Sequence, residues 1–172
     1  MLFRSNPLPK KGINPRKRSI INGGNKLVVA PPKYGKSSLL IEYALTLPKK
    51  SYLYLDMNDA RVSFEAEELA LFCKQNSIKT LIIDNYYYNF ELPQNRTLIL
   101  SSEYEERMEG FEKIELKGLD FEEFISFQKT KEEPSSLFGS YVKNGVLPEL
   151  ATLGDFVDRK STRLNSSHRI RS

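Results

Sequence analysis

One junction near the start of the chain restricts the fold more than any other feature. Residues 26–30, KLVVA, are a short apolar run with β-branched residues and predict a buried strand. Apolar residues then recur at i, i+3, i+4 and i+7 between Leu40 and Leu47, which predicts an amphipathic helix that ends at Pro48. A strand that turns directly into a helix aims main-chain N–H groups at one point, so this junction suits an anion such as phosphate.

The turn itself has the pattern of a phosphate-binding loop. Residues 30–37 read Ala-Pro-Pro-Lys-Tyr-Gly-Lys-Ser, which is the P-loop pattern with Ala30 in place of the first glycine. We expect Ala30 to be tolerated if its φ angle is negative. Gly35 lets the backbone approach a ligand, the Lys36 ammonium is a point charge for the β- and γ-phosphates, and the Ser37 hydroxyl is a ligand for Mg²⁺.

The expected ligands are therefore ATP and Mg²⁺. ATP is favoured over GTP because the chain has no Asn-Lys-x-Asp motif for guanine after a late strand. The alternative is an ordinary strand–turn–helix connection in which the Lys-Ser pair occurs by accident. The residues predicted to bind the nucleotide are Ala30, Pro31, Pro32, Lys33, Tyr34, Gly35, Lys36, Ser37 and Ser38.

The rest of the chain alternates between strand and helix patterns. Further strands are predicted at residues 51–56, 80–86, 96–102 and 113–119. A helical stripe runs from Ala66 to Cys73 with Ser63 as its predicted cap, Asp120 is the predicted cap of a later helix, and residues 129–137 are predicted to be a loop or linker. This order predicts an α/β fold of three layers, with a mostly parallel sheet between helices.

An acid followed by an amide ends the predicted strand at residues 80–86. In a P-loop protein, Asp84 would lie at the carboxyl end of the sheet and hold Mg²⁺ through water. ATPases of this layout usually have Glu at the next position, where this chain has Asn85. An amide can orient water but cannot accept its proton, so we hypothesise normal nucleotide binding with slow hydrolysis. Glu103 and Asp59 are the other acids considered for the proton, and both are otherwise surface residues.

Ser101 closes the predicted strand at residues 96–102. Its hydroxyl either contacts the γ-phosphate or the attacking water, or caps a turn at the strand end. The candidate catalytic residues are thus Asp84, Asn85 and Ser101, and the candidate Mg²⁺ ligands are Ser37 and Asp84.

Charge and composition exclude several other functions. Eleven of the 26 basic residues lie in residues 1–18 and 159–172, which contain no acid, so residues 19–158 carry 15 basic against 22 acidic residues. This acidic body argues against nucleic-acid binding, and a basic arm from Lys10 to Arg18 is the alternative.

Cysteine and histidine are each present only once. One cysteine, Cys73, gives neither a disulfide framework nor a Cys-rich zinc site, and we expect it in the core. The one histidine, His168, lies near the end of the chain, which leaves no base for a Ser-His-Asp or Cys-His mechanism. Without an apolar leader or a run of ~20 apolar residues, we expect a cytoplasmic protein with no membrane partner.

Residues 16–150 resemble a prokaryotic AAA+-type P-loop ATPase family, in which the ATPase domain precedes a winged-helix or nuclease-like C-terminal region. The resemblance is carried by the lead-in NPRKRSIING, the loop APPKYGKSSLL, the strands YLYLDMNDAR, LIIDNYY and LILSSE, and the segments IELKGLDFEEFISF and GVLPEL. It implies the strand order 5-1-4-3-2, with ATP at the carboxyl ends of the first and third strands. Asn85 departs from the family, which has Glu there.

The resemblance also implies a division of the chain. A basic lead-in covers residues 1–24, the ATPase core residues 25–128, and the start of a helical C-terminal region residues 129–158. Residues 159–172 are predicted to be disordered, and their first part, RKSTRLNSSH, is similar to translated sequencing-adaptor sequence, so we expect the natural protein to continue past about Asp158. The functions that follow are an ATP-hydrolysing domain that drives a further effector region, or a regulatory module that binds ATP without hydrolysing it. Self-association into a homo-oligomer stays open.

Overall fold

The computed structural model describes residues 21, 23–88, 90–94, 96–104, 107–128, 133–145, 147–148 and 151. Within them the elements follow in chain order as β1 (Lys26–Val29), α1 (Lys36–Thr46), β2 (Tyr52–Asp56), α2 (Ala66–Gln75), β3 (Thr80–Asp84), β4 (Thr97–Ser102), β5 (Glu112–Glu115), α3 (Phe121–Phe127) and α4 (Pro134–Asn144). None of these helices is both long and apolar enough to cross a membrane. The basic arm up to residue 20 and the segment from residue 159 lie outside the described residues.

The described strands form one parallel sheet. Their order is β2-β3-β4-β1-β5, which runs 5-1-4-3-2 when it is counted from the β5 edge. All four pairings are parallel, and the register sets Val29 of β1 beside Ser102 of β4. The predicted α/β class and parallel sheet are therefore confirmed. Because parallel strands end at one edge, this order brings the carboxyl ends of β1, β3 and β4 together.

Alternate residues of the strands supply two separate hydrophobic cores. Leu27 points to the face that packs against Leu69 and Cys73 of α2. Val28, the next residue, points to the opposite face and packs with Leu40 of α1. The sheet is thus a middle layer between helices, which explains why the central strands β1, β3 and β4 contain the unbroken apolar runs LVV, LII and LIL. Each fully buried leucine or isoleucine stabilises the fold by roughly 1.5–3 kcal/mol, and the predicted core position of Cys73 is confirmed by its 1% exposure.

The chain divides into two compact units, Met1–Leu116 and Lys117–Ser172. The described core of the second unit consists of Leu119, Phe124, Phe127, Leu137 and Ala151. Its helix α3 begins where predicted, because the Asp120 carboxylate accepts a hydrogen bond of 2.8 Å from the Glu123 N–H.

Two predictions about helix starts are wrong. Residues 134–137, part of the predicted linker, form the first turn of α4, where Pro134 fits because the N–H that it lacks would have no helical partner. The N-cap of α2 is Glu65 rather than Ser63. The side chains of Glu65 and Glu68 exchange hydrogen bonds with the backbone in a capping box, and the first helical residue is Ala66.

Candidate functional site

The loop between β1 and α1 leads into a helix whose first turn is open. Gly35 is the N-cap of α1, with φ 89° and ψ 20°, a left-handed conformation that favours glycine. Since glycine has no side chain, no N-cap side chain covers the N–H groups of the first helical turn. Positive φ angles in the loop occur at Lys33 and Gly35 and not at Ala30, so the condition for alanine at this position is met. The loop therefore ends with main-chain N–H groups that can donate hydrogen bonds to an anion.

The Lys36 side chain folds back over the same loop. Its Nζ donates to the carbonyl oxygens of Ala30 at 2.8 Å and of Pro31 at 3.1 Å, and the side chain is only 6% exposed. Burial lowers the pKa of Lys36, while the negative charges of Glu103 and Asp84 act in the opposite direction. A cation is thus held inside the bend of the loop, at the start of the open helix.

The other predicted binding residues lie on the outer side of this loop. Pro31, Pro32, Lys33 and Ser37 are exposed, and Tyr34 and Ser38 are half-buried. Tyr34 packs against the core beneath α1, which anchors the loop to the sheet. Ser37 is the second residue of α1, so an exposed hydroxyl belongs to the same helical turn as the uncovered N–H groups.

Asp84 is a buried carboxylate held by donors from two neighbouring strands. It is 1% exposed at the end of β3. Its Oδ2 accepts from the Tyr54 hydroxyl at 2.8 Å, and its Oδ1 accepts from the Ser101 hydroxyl and from the Asn85 N–H at 3.1 Å. Burial raises the pKa of Tyr54, and the charge of Asp84 raises it further. The hydrogen bonds offset the cost of burying the carboxylate, so it stays in place at the carboxyl edge of the sheet.

Asn85 has a conformation and a partner that explain why it is not an acid. Its φ is 55°, in the left-handed region that asparagine tolerates better than most residues. Its Nδ2 donates to Asp56 Oδ1 at 2.8 Å, and its N–H donates to Ser101 Oγ at 3.0 Å. An acidic side chain at this position would meet the charges of Asp56 and Asp84. Asn85 therefore joins the ends of β2, β3 and β4 by hydrogen bonds, of which the one to Asp56 needs the side-chain amide.

Ser101 connects two of the predicted site residues to each other. Its side chain is completely buried, and its hydroxyl donates to Asp84 while it accepts from the Asn85 N–H. The Ser101 hydroxyl thus makes its hydrogen bonds to protein groups at the strand ends, as in the alternative in which it caps a turn.

Glu103 is the acid that lies beside the loop lysine. It follows β4 directly, and its Oε1 is 3.9 Å from Lys36 Nζ with 42% of its side chain exposed. Asp59, the other acid considered from the sequence, instead pairs with the guanidinium of Arg61, two residues further along the chain. The structure brings Glu103 to the site and leaves Asp59 with its own neighbour.

Sequence reasoning missed Tyr54 and Asp56. Both belong to β2, which pairs with β3 so that Asp56 lies beside Asp84. Tyr54 is an aromatic residue in an alternating strand and has no local sign of a polar role. The available signal was the acid at the end of β2, because carboxyl ends of adjacent parallel strands meet at one edge.

A cavity of about 690 Å³ lies away from this loop. It is lined by the C-terminal part of α2 together with Ile78, Lys79 and Arg96, at the amino ends of β3 and β4. Burial raises the pKa of the Cys73 thiol there, and Arg96 opposes the shift. Cys73 is therefore a core thiol and not an activated nucleophile.

We expect Asn85→Glu to lower the free energy of unfolding by about 2–4 kcal/mol. The change places a less tolerant residue at positive φ, removes the hydrogen bond to Asp56, and adds a charge beside two carboxylates. Urea unfolding measures this change in the free energy of unfolding. The control is Asn85→Gly, which suits the positive φ and adds no charge, so it should lose about 1 kcal/mol. If both variants lose the same free energy of unfolding, the added charge of the glutamate is not a cause of the loss.

In the described part of the chain, no group of three or more His, Cys, Asp or Glu residues could hold a metal ion on its own. The site thus consists of an open helix start, a buried cation and a fixed carboxylate at one sheet edge. Comparison with protein-family models and with curated proteins finds no match for this chain, so its interpretation depends on this geometry.

Proposed function

We propose that this protein is an ATP-binding P-loop domain of the AAA+ type. The observation that carries the proposal is the Lys36 ammonium, folded over a loop that ends in the open first turn of α1. Main-chain donors, the helix dipole and one cation then act on the same anion. A triphosphate would take the place of the carbonyl oxygens as the acceptor of the ammonium, which relieves the cost of burying that charge. The sheet order supports the same type of domain.

Mg²⁺ fits the oxygen donors of this site. Ser37 offers an exposed hydroxyl at the start of α1, and Asp84 offers a fixed carboxylate at the end of β3. Hard oxygen ligands of this type suit Mg²⁺, which keeps several waters and needs few protein ligands. We propose that Ser37 binds the ion and that Asp84 holds it through water. When bound, Mg²⁺ would neutralise phosphate charge.

Two functions of a bound nucleotide are distinguished by Asn85. Hydrolysis needs a proton acceptor, and the amide at position 85 cannot be one. Our first proposal is slow hydrolysis that drives an effector region. The second is a regulatory module that binds ATP without turnover, which the fixed amide of Asn85 favours. Phosphate release over hours, compared with bound nucleotide, separates the two.

Equilibrium titration with ATP tests the common part of both proposals. We expect saturable binding of one ATP per chain, stronger with Mg²⁺ than with a chelator, and stronger for ATP than for inorganic phosphate. Calorimetry measures the stoichiometry and the affinity together. GTP in the same titration tests the preference for adenine. A chain that is folded by circular dichroism and gives no heat with either nucleotide would contradict the proposal.

A further inference from the structure

The site needs a carboxylate that can reach water, and most of its acids are already engaged. Asp84 is 1% exposed, and both of its oxygens accept hydrogen bonds from the protein. Asp56 accepts from the Asn85 amide and from the Asn58 N–H. Both carboxylates are therefore held in place at the strand ends by donors of the protein, whereas a general base beside the loop needs a carboxylate that is open to solvent.

Glu103 differs from these acids in exposure and in position. Its side chain is 42% exposed and lies 3.9 Å from the Lys36 ammonium. Its charge opposes the effect of burial on the Lys36 pKa more strongly than the charge of Asp84 does. Glu103 is thus the carboxylate that lies beside the cation of the loop and can also reach solvent.

The backbone holds Glu103 at this place. The preceding residue, Ser102, ends β4 and accepts a hydrogen bond of 3.3 Å at its carbonyl from the Ala30 N–H. β4 also pairs with β1 along its length, with Val29 beside Ser102. The start of the loop and the backbone that carries Glu103 are therefore held next to each other through adjacent strands.

From this arrangement we infer that Glu103 is the general base of ATP hydrolysis at this site, in place of an acid at position 85. The inference depends on the ATP-binding function proposed above. A water oxygen forms a bond to the γ-phosphorus, and the bond from that phosphorus to the β–γ bridging oxygen breaks. The electron pair goes to the β-phosphate of ADP, and Glu103 accepts the proton of the water. In this proposal the Lys36 ammonium balances the negative charge of the transferred γ-phosphate.

The test uses the full chain with Glu103→Gln and the control Glu115→Gln. Glu115 ends β5 at the same sheet edge and is exposed, so its substitution removes the same charge without removing the proposed base. Affinity is measured by calorimetry with a non-hydrolysable ATP analogue. Turnover is measured as radioactive phosphate released in one cycle from ATP, with protein in excess.

We expect Glu103→Gln to bind the analogue as tightly as the wild type or more tightly, and to release phosphate about 100-fold more slowly. Glu115→Gln should match the wild type in both measurements. The inference is overturned if Glu103→Gln releases phosphate at the wild-type rate, or if it loses affinity for the analogue. A wild type that binds the analogue but releases no phosphate overturns this inference and leaves ATP binding intact. A wild type that binds no analogue overturns ATP binding, and this inference with it.

Discussion

Lys36→Ala should weaken the binding of Mg·ATP by roughly 1,000-fold. Without the Lys36 ammonium, the β- and γ-phosphates would lose two charged hydrogen bonds of about 2 kcal/mol each. Each 1.4 kcal/mol is a factor of ten in Kd. The variant should stay folded with a loss of about 1–3 kcal/mol in the free energy of unfolding, because the carbonyl of the buried Ala30 loses its donor while that of the exposed Pro31 can be hydrated. Calorimetric titration of ATP measures the loss.

Lys49→Ala is the matched control for this loss. Lys49 is an exposed lysine beyond the other end of α1, so its removal changes the net charge equally without changing the loop. It should bind ATP as the wild type does. If Lys36→Ala retains the wild-type affinity, or if both variants lose affinity to the same extent, the loop is not the phosphate site.

The second large effect is expected from Asp84→Ala, which should lower the free energy of unfolding by about 3–5 kcal/mol. The hydroxyls of Tyr54 and Ser101 would lose their acceptor together, whereas the Asn85 N–H would keep its hydrogen bond to Ser101 Oγ. Each buried polar group left unpaired costs about 1–3 kcal/mol, and the small cavity adds to the loss. Urea unfolding at neutral pH measures the difference.

Asp84→Asn separates the hydrogen bonds of this residue from its charge. The amide oxygen can accept from Ser101 and Asn85 as Oδ1 does, and the Tyr54 hydroxyl can turn to accept from the amide nitrogen. We expect a loss of less than about 2 kcal/mol in stability, together with a loss of the Mg²⁺ dependence of ATP binding. Similar unfolding curves for the alanine and asparagine variants would show that the three hydrogen bonds contribute little.

The sequence was sufficient where the physical cause is local. The strand before Ala30 and the helix after Gly35 were predictable because a buried strand and an amphipathic helix each have their own period. The positive φ of Gly35 agrees with the glycine of the P-loop pattern. The position of Asp84 at the carboxyl edge of the sheet was also predictable, because parallel strands end at the same edge.

The parts that could not be predicted depend on contacts between distant residues. The hydrogen bond of Tyr54 to Asp84 needs the register of β2 on β3, which no local pattern specifies. The proximity of Glu103 to Lys36 needs β4 to lie next to β1, which followed only from the strand order that the family resemblance implies and not from any local pattern. The helical start at Pro134 was missed for another reason, because proline and serine favour both loops and the first turn of a helix.

The position of β4 between β3 and β1 makes one dipeptide responsible for aligning the whole site. The Ser101 side chain holds the carboxylate of Asp84 on one side, and the Ser102 carbonyl holds the Ala30 amide on the other. A displacement of this dipeptide would move both the Asp84 carboxylate and the loop that begins at Ala30. The alignment of the acid with the start of the loop therefore depends on one short stretch of β4, and a substitution there would disturb both.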